Sequence, residues 1–175
     1  GNTKAVLTVE KVGKVDLPAP DIFFGNDKME VTDTDIYKSE QVFTQGQMIT
    51  VTGIDNLNEW WIDPDFFEKQ SDGALKFLPI NGDYRVTANA VLKYFSVMAL
   101  KDGKPAKLQD DGTGAIWAIG KGIGKPSVAS SEVGWEPGKA LCLAQVAPKK
   151  YQLTLKAGET LKTSGDWEAI SFKFF

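Results

Sequence analysis

The 175 residues contain no histidine, so Ser-His-Asp and Cys-His nucleophile activation, imidazole-ligated zinc and a histidine pH switch are all excluded. The single cysteine, Cys142, lies in the apolar run Ala140-Leu141-Cys142-Leu143-Ala144. With no base at hand to make a thiolate, it reads as an inert buried thiol. One cysteine permits no internal disulfide, so it does not identify a compartment.

The run Gly120-Lys121-Gly122-Ile123-Gly124-Lys125-Pro126-Ser127 invites comparison with phosphate-binding loops. A phosphate loop needs glycine where Ile119 stands and Ser or Thr where Pro126 stands. A dinucleotide fingerprint needs a helix after the glycines, which Pro126 and Pro137 oppose. The run is expected to be a flexible loop presenting Lys121 and Lys125. Asp63, Asp65 and Glu68 could supply a pair of carboxylates for glycoside hydrolysis. Helix capping already accounts for Asp63 and Asp65 in Asp63-Pro64-Asp65-Phe66-Phe67-Glu68, where Pro64 suits a first helical position. Asp33 and Asp35 lack the glycine and distal glutamate of a calcium loop and read as a solvated turn. No catalytic residue, metal site or cofactor is expected.

Five tryptophans carry more information. Trp60 and Trp61 are consecutive, so in an extended segment they point to opposite faces. Trp60 and Trp117 are expected in the core. Trp135, between Gly134 and Glu136-Pro137-Gly138, and Trp167, after Gly165-Asp166, stand in loop chemistry. Indole faces in loops suit the C–H face of a sugar ring. Covering ~80 Å² of one at ~25 cal/mol/Å² yields ~2 kcal/mol. The candidate ligand-binding residues are therefore Trp135, Trp167 and Trp61, with Lys121 and Lys125 as donors to hydroxyls.

The elements that must hold these residues are strands. Ala5–Val9, Met48–Thr52, Tyr84–Ala88, Tyr94–Val97, Tyr151–Leu155 and Ile170–Phe174 alternate or run in β-branched and aromatic residues between Gly, Asp, Asn and Pro turns. One short helix is expected after Asp63, ended by Ser71-Asp72-Gly73. A shift of 67 residues lays Ile49–Gly53 on Ile116–Gly120 and Tyr84–Thr87 on Tyr151–Thr154. The expected fold is all-β: tandem immunoglobulin-like antiparallel β-sandwiches with at most one short helix. Their domains are 1–102 and 103–175, with the seam in the polar stretch Asp102–Gly114. Tyr84 and Tyr151 should occupy equivalent inward positions beside Val86 and Leu153.

The net charge of −3, with 20 basic residues dispersed among 23 acids, excludes the concentrated basic surface that a nucleic-acid partner requires. Lys149-Lys150 reads as a solvated strand edge. The chain opens Gly1-Asn2-Thr3-Lys4 without an initiator methionine, so the lack of a leader carries no information.

Ile116-Trp117-Ala118-Ile119-Gly120, then Gly134-Trp135, then Tyr151–Gly158, then Ser171–Phe175 resemble the SusE/SusF-type outer-membrane lipoproteins of Bacteroides-like bacteria. The stretch Trp60–Phe67 is similar to a related lipoprotein group of those bacteria. The resemblance implies non-catalytic capture of a polysaccharide or oligosaccharide in a polysaccharide-utilisation system. It further implies surface exposure on the outer membrane, a lipidated cysteine upstream of residue 1, and proximity to an outer-membrane transport complex. Trp135 matches the Gly-Trp loop, and Lys173 the closing structural strand. The alternative expectation is a structural or assembly module that binds no sugar.

Overall fold

The structure, a computed structural model, describes residues 1–175 except 2, 7, 9–12, 14–16, 164 and 166–168. The first unit holds β1 (Phe23–Phe24), β2 (Asp27–Lys28), β3 (Glu30–Asp33), β4 (Ile36–Phe43), β5 (Met48–Ile49), β6 (Val51–Thr52), β7 (Phe67–Lys69), β8 (Leu75–Phe77), β9 (Gly82–Asn89), β10 (Tyr94–Lys101) and β11 (Lys104–Pro105). The second holds β12 (Trp117–Gly124), the one-turn helix α1 (Val128–Ser131), β13 (Glu132–Gly134), β14 (Leu141–Cys142), β15 (Ala144–Ala147), β16 (Lys150–Gln152) and β17 (Ser171–Phe174). The chain is all-β, a sandwich of antiparallel sheets with little helix.

In the first unit β11-β10-β9-β4-β3 form an antiparallel sheet whose strands alternate as their sequences predict. Tyr84, Val86 and Ala88 of β9 are buried, while Arg85 and Thr87 between them are partly open. Against this face lie two small sheets, β2-β1-β6 and β5-β8-β7. Aromatic rings fill the space between. Phe24 meets Phe43, Phe67 and Phe95 edge-on, with centroids 6.0, 5.8 and 5.2 Å apart. Trp60 lies over Phe95 at 4.7 Å, so it is a core residue as expected.

Strand β12 organises the second unit. Ala118 pairs with both Leu141 of β14 and Phe174 of β17, and Gly120 with both Gly134 of β13 and Phe172 of β17. A strand has two edges, so β14 and β13 share one in tandem and β17 takes the other. Trp117 is half-buried at the start of β12 and donates its indole N–H to the Ala106 carbonyl at 2.9 Å.

Several local expectations are corrected. Leu7 and Val9 of the expected first strand lie outside the described residues, while Ala5, Val6 and Thr8 are exposed and in no strand. Asp63 does cap: its carbonyl accepts from Phe66 and Phe67, and its carboxylate from the Asp65 N–H. A single turn results, not a helix, because Phe66 and Phe67 both enter the core and Phe67 starts β7. The helix stands instead at Val128–Ser131, where the Ser127 hydroxyl accepts from the Ser130 N–H. Tyr84 is buried and Tyr151 half-buried, each ending its hydroxyl on a backbone carbonyl, Ile80 and Gly112 respectively. Their strands are paired differently: β9 lies between β4 and β10, whereas β16 pairs with β15 alone among the described strands.

The seam is packed and tied. Ala144 enters the first unit's aromatic core, and Cys142 packs with Ala106 and Ala115 against Met98 and Ala99. Ile80 N–H donates to the Gln145 carbonyl and the Gln45 amide to the Val146 carbonyl, both at 2.8 Å. Burial pushes the Cys142 thiol up to about 11. Labelling by a thiol reagent near neutral pH should therefore be negligible in native buffer and complete in denaturant. A fast native phase would show that Cys142 is open.

Candidate functional site

The glycine-rich run is not a loop: residues 120–124 belong to β12. Between the pairs Gly120↔Gly134 and Gly124↔Glu132, β12 spends two more residues than β13, which makes a bulge. The Gly122 N–H, displaced from the ladder, donates to the Glu132 carboxylate at 3.0 Å. At Gly122 (φ 81°) a Cβ would stand 2.6 Å from the Ala169 carbonyl, so glycine here admits a neighbouring backbone, with no phosphate involved.

Lys121 and Lys125 have opposite fates. Lys121 is exposed on β12, opposite Ser171 of β17. Lys125 is buried, which corrects its assignment as a ligand donor. Its ammonium donates to Asp63 at 2.6 Å and Asp65 at 3.2 Å, and lies 5.9 Å from the Phe66 ring centroid. The second Asp65 oxygen accepts from the Thr154 hydroxyl, and the first also accepts the Thr154 N–H, each at 2.7 Å. Lys125 and Thr154 belong to the second unit and the two aspartates to the first, so the cluster clamps the units together. Both carboxylates are thereby withdrawn from any role as an exposed glycosidase pair. Burial pushes the Asp63 carboxyl up, against the opposing pull of Lys125.

Trp61 belongs to the same end of the molecule. It is half-buried and donates its indole N–H to Glu159 at 2.7 Å, again across the seam. Lys156 and then Trp61 hold the Glu159 carboxyl below the ordinary range. Trp61 and Lys125 are therefore both engaged at the seam. Trp167 lies outside the described residues.

Trp135 and Lys121 are both exposed. Gly134, at φ 59°, turns the chain as β13 ends and leaves the Trp135 side chain 48% exposed. Trp135 follows Gly134 and Lys121 follows Gly120, its pairing partner. Beyond Gly120 the same row continues to Phe172, whose ring meets the exposed Phe174 edge-on at 5.9 Å. The arrangement offers an exposed indole just past β13 and an exposed cation on β12. It contains no nucleophile–base pair, and among the described residues no three His, Cys, Asp or Glu side chains gather as metal ligands. The clamp partner Thr154 was missed by sequence reasoning, since nothing local distinguishes it. Among the described residues no helix is long and apolar enough to cross a membrane.

Residues 111–175 match the family described as Domain of unknown function (DUF5121). No curated protein and no solved structure matches the chain. Residues 11–108, more than half of the chain, match a second family, so the chain belongs to the family described as Domain of unknown function (DUF5125).

Proposed function

We propose that the chain is a non-catalytic glycan-binding module that captures a polysaccharide or oligosaccharide through the Trp135 face of its second unit. One observation carries the reading: of the four described tryptophans, Trp135 alone is exposed, and the exposed Lys121 follows Gly120, the residue that pairs with Gly134 before the tryptophan. The ring would cover a pyranose face, worth ~2 kcal/mol for ~80 Å², and Lys121 would donate to hydroxyls. The resemblance to SusE/SusF-type lipoproteins extends the proposal to the surface of an outer membrane. There a lipid anchor upstream of residue 1 would hold the module beside a transport complex.

Calorimetric titration against a panel of soluble polysaccharides tests this. Trp135→Ala is expected to weaken binding at least tenfold, ~1.4 kcal/mol. The melting temperature should stay within a few degrees of the parent's, because half of the ring makes no packing contact. A protein that binds no glycan and loses stability on that substitution would refute the reading. A second reading, a rigid assembly module that binds no sugar, is favoured by Trp61 and Lys125, both committed to joining the units. Absence of any glycan affinity in the parent protein would select it.

A further inference from the structure

Between the two units runs a groove of about 540 Å³, walled by Asp83, Tyr84 and Lys101 of the first and by Asp111, Leu143 and Gln145 of the second. Gln145 is 9% exposed, and its side-chain amide makes no hydrogen bond among the described residues. The other described buried polar side chains, Ser39, Asp63, Asp65, Lys125 and Thr160, each have a partner. Among the described residues no fully sealed side-chain nitrogen or oxygen is without one, so the Gln145 amide is open to solvent, and the groove is the space that Gln145 lines. Register agrees. Gln145 pairs with Tyr151, cross-strand partners project to one face, and the Tyr151 hydroxyl reaches the Gly112 and Gly114 carbonyls at 3.0 and 3.4 Å, beside the groove wall.

An amide that opens on the groove with no protein partner is free to bond an occupant. We infer that this seam groove is a second saccharide site, holding one or two neutral sugar rings with Gln145 as its central contact. A primary amide offers a donor and an acceptor side by side, the complement of two adjacent hydroxyls. Tyr84 and Leu143 give an apolar floor for C–H faces. Asp83 and Asp111 are balanced by Lys101 and Lys107, so the walls favour neither an anion nor a cation. The volume falls within the range of small-ligand sites, and junctions between units are where such sites concentrate. The inference shares its ligand class with the proposed function but depends on none of the residues at Trp135.

The test is an NMR titration of the whole protein with maltotriose, cellotriose and mannotriose, following the backbone amides of Asp83, Lys101, Asp111 and Leu143 along the groove and, in the parent, the Gln145 side-chain amide as well. At least one probe should shift them saturably. Gln145→Ala and Lys107→Ala should each weaken that response, the first at least tenfold. Gln145→Leu should abolish it while leaving the melting temperature at or above the parent's, because no hydrogen bond within the described residues is lost and an apolar side chain lies against Leu143 and Tyr84. In Trp135→Ala the groove response should persist, which separates the two sites: a parent that responds only here disproves the Trp135 platform alone. No shift with any probe, parent-like binding by Gln145→Ala, or a melting temperature lowered by several degrees in Gln145→Leu would each overturn the inference.

Discussion

Replacing Lys125 by alanine is expected to cost about 3–5 kcal/mol, the range for stranding buried charges by removing their partner. For a chain of this size that lowers the melting temperature by roughly 6–20 °C. The reason is charge count. Asp63, Asp65 and Lys125 are all buried, so two carboxylates share one ammonium. Removing Lys125 leaves two facing anions whose remaining donors among the described residues are Thr154 and the Asp65 N–H. Asp63→Asn is the informative contrast, since it leaves one cation and one anion and keeps the oxygen that accepts the Asp65 N–H. It should stay within about 1 kcal/mol of the parent at neutral pH. The sign of the pH dependence follows. Because burial raises the folded-state Asp63 pKa, its contribution is fully present below the unfolded-state value and is lost as pH rises through the folded one. Urea denaturation across that window should show the decline in the parent and a flatter profile in Asp63→Asn. Equal losses for the two variants would show that the cluster is not an uncompensated pair of acids.

Gly120→Val should be comparably damaging, about 3–5 kcal/mol, through backbone strain and steric overlap together. Gly120 sits at φ 142°, and a Cβ there would overlap the Ser171 carbonyl and the Phe172 backbone. Valine can escape only by pushing β17 off β12, which also removes Phe172 from the second unit's core. Gly138→Ala is the control: nothing lies within 4 Å of its Cβ, and its effect should be no more than about 0.5 kcal/mol. Thermal unfolding followed by Cys142 labelling reads both, since loss of this sheet opens the thiol. A Gly120→Val protein as stable as the parent would mean that β17 does not need this close approach.

Strands were legible wherever alternation was strong, as at Tyr84–Ala88, where burial of every second side chain decides the structure. The packed roles of Trp60 and Trp117 were equally readable. The Gly120–Gly124 stretch was misread because glycine has low strand preference. Pairing on both edges of β12 outweighed that preference, and the glycines are what allow it. Lys125 looked like a loop cation because its partners stand 60 and 62 residues away, a distance over which no local pattern reports. Trp135 was read from loop chemistry and is exposed, Trp167, beside which it was expected, lies outside the described residues, and Trp61, a further candidate, gives its indole N–H to Glu159 across the seam. The 67-residue correspondence matched tyrosines that share an inward position, while the strands around them pair differently.

The pairing of Ile119 with Lys173 sets a schedule for synthesis. One edge of β12 cannot be covered until the strand about 50 residues downstream has been made. At 5–20 residues per second that delay is roughly 3–10 s. The first unit's long sheet joins β4, β9 and β10, all complete well before then, so it can form while the second unit is still being translated. Throughout the wait, Ala118 and Ile119 offer unpaired backbone to any passing chain, with Lys121 as the nearby charge that discourages misplaced pairing. A substitution removing that charge would be felt first as a lower yield of folded protein, before any change in the finished molecule.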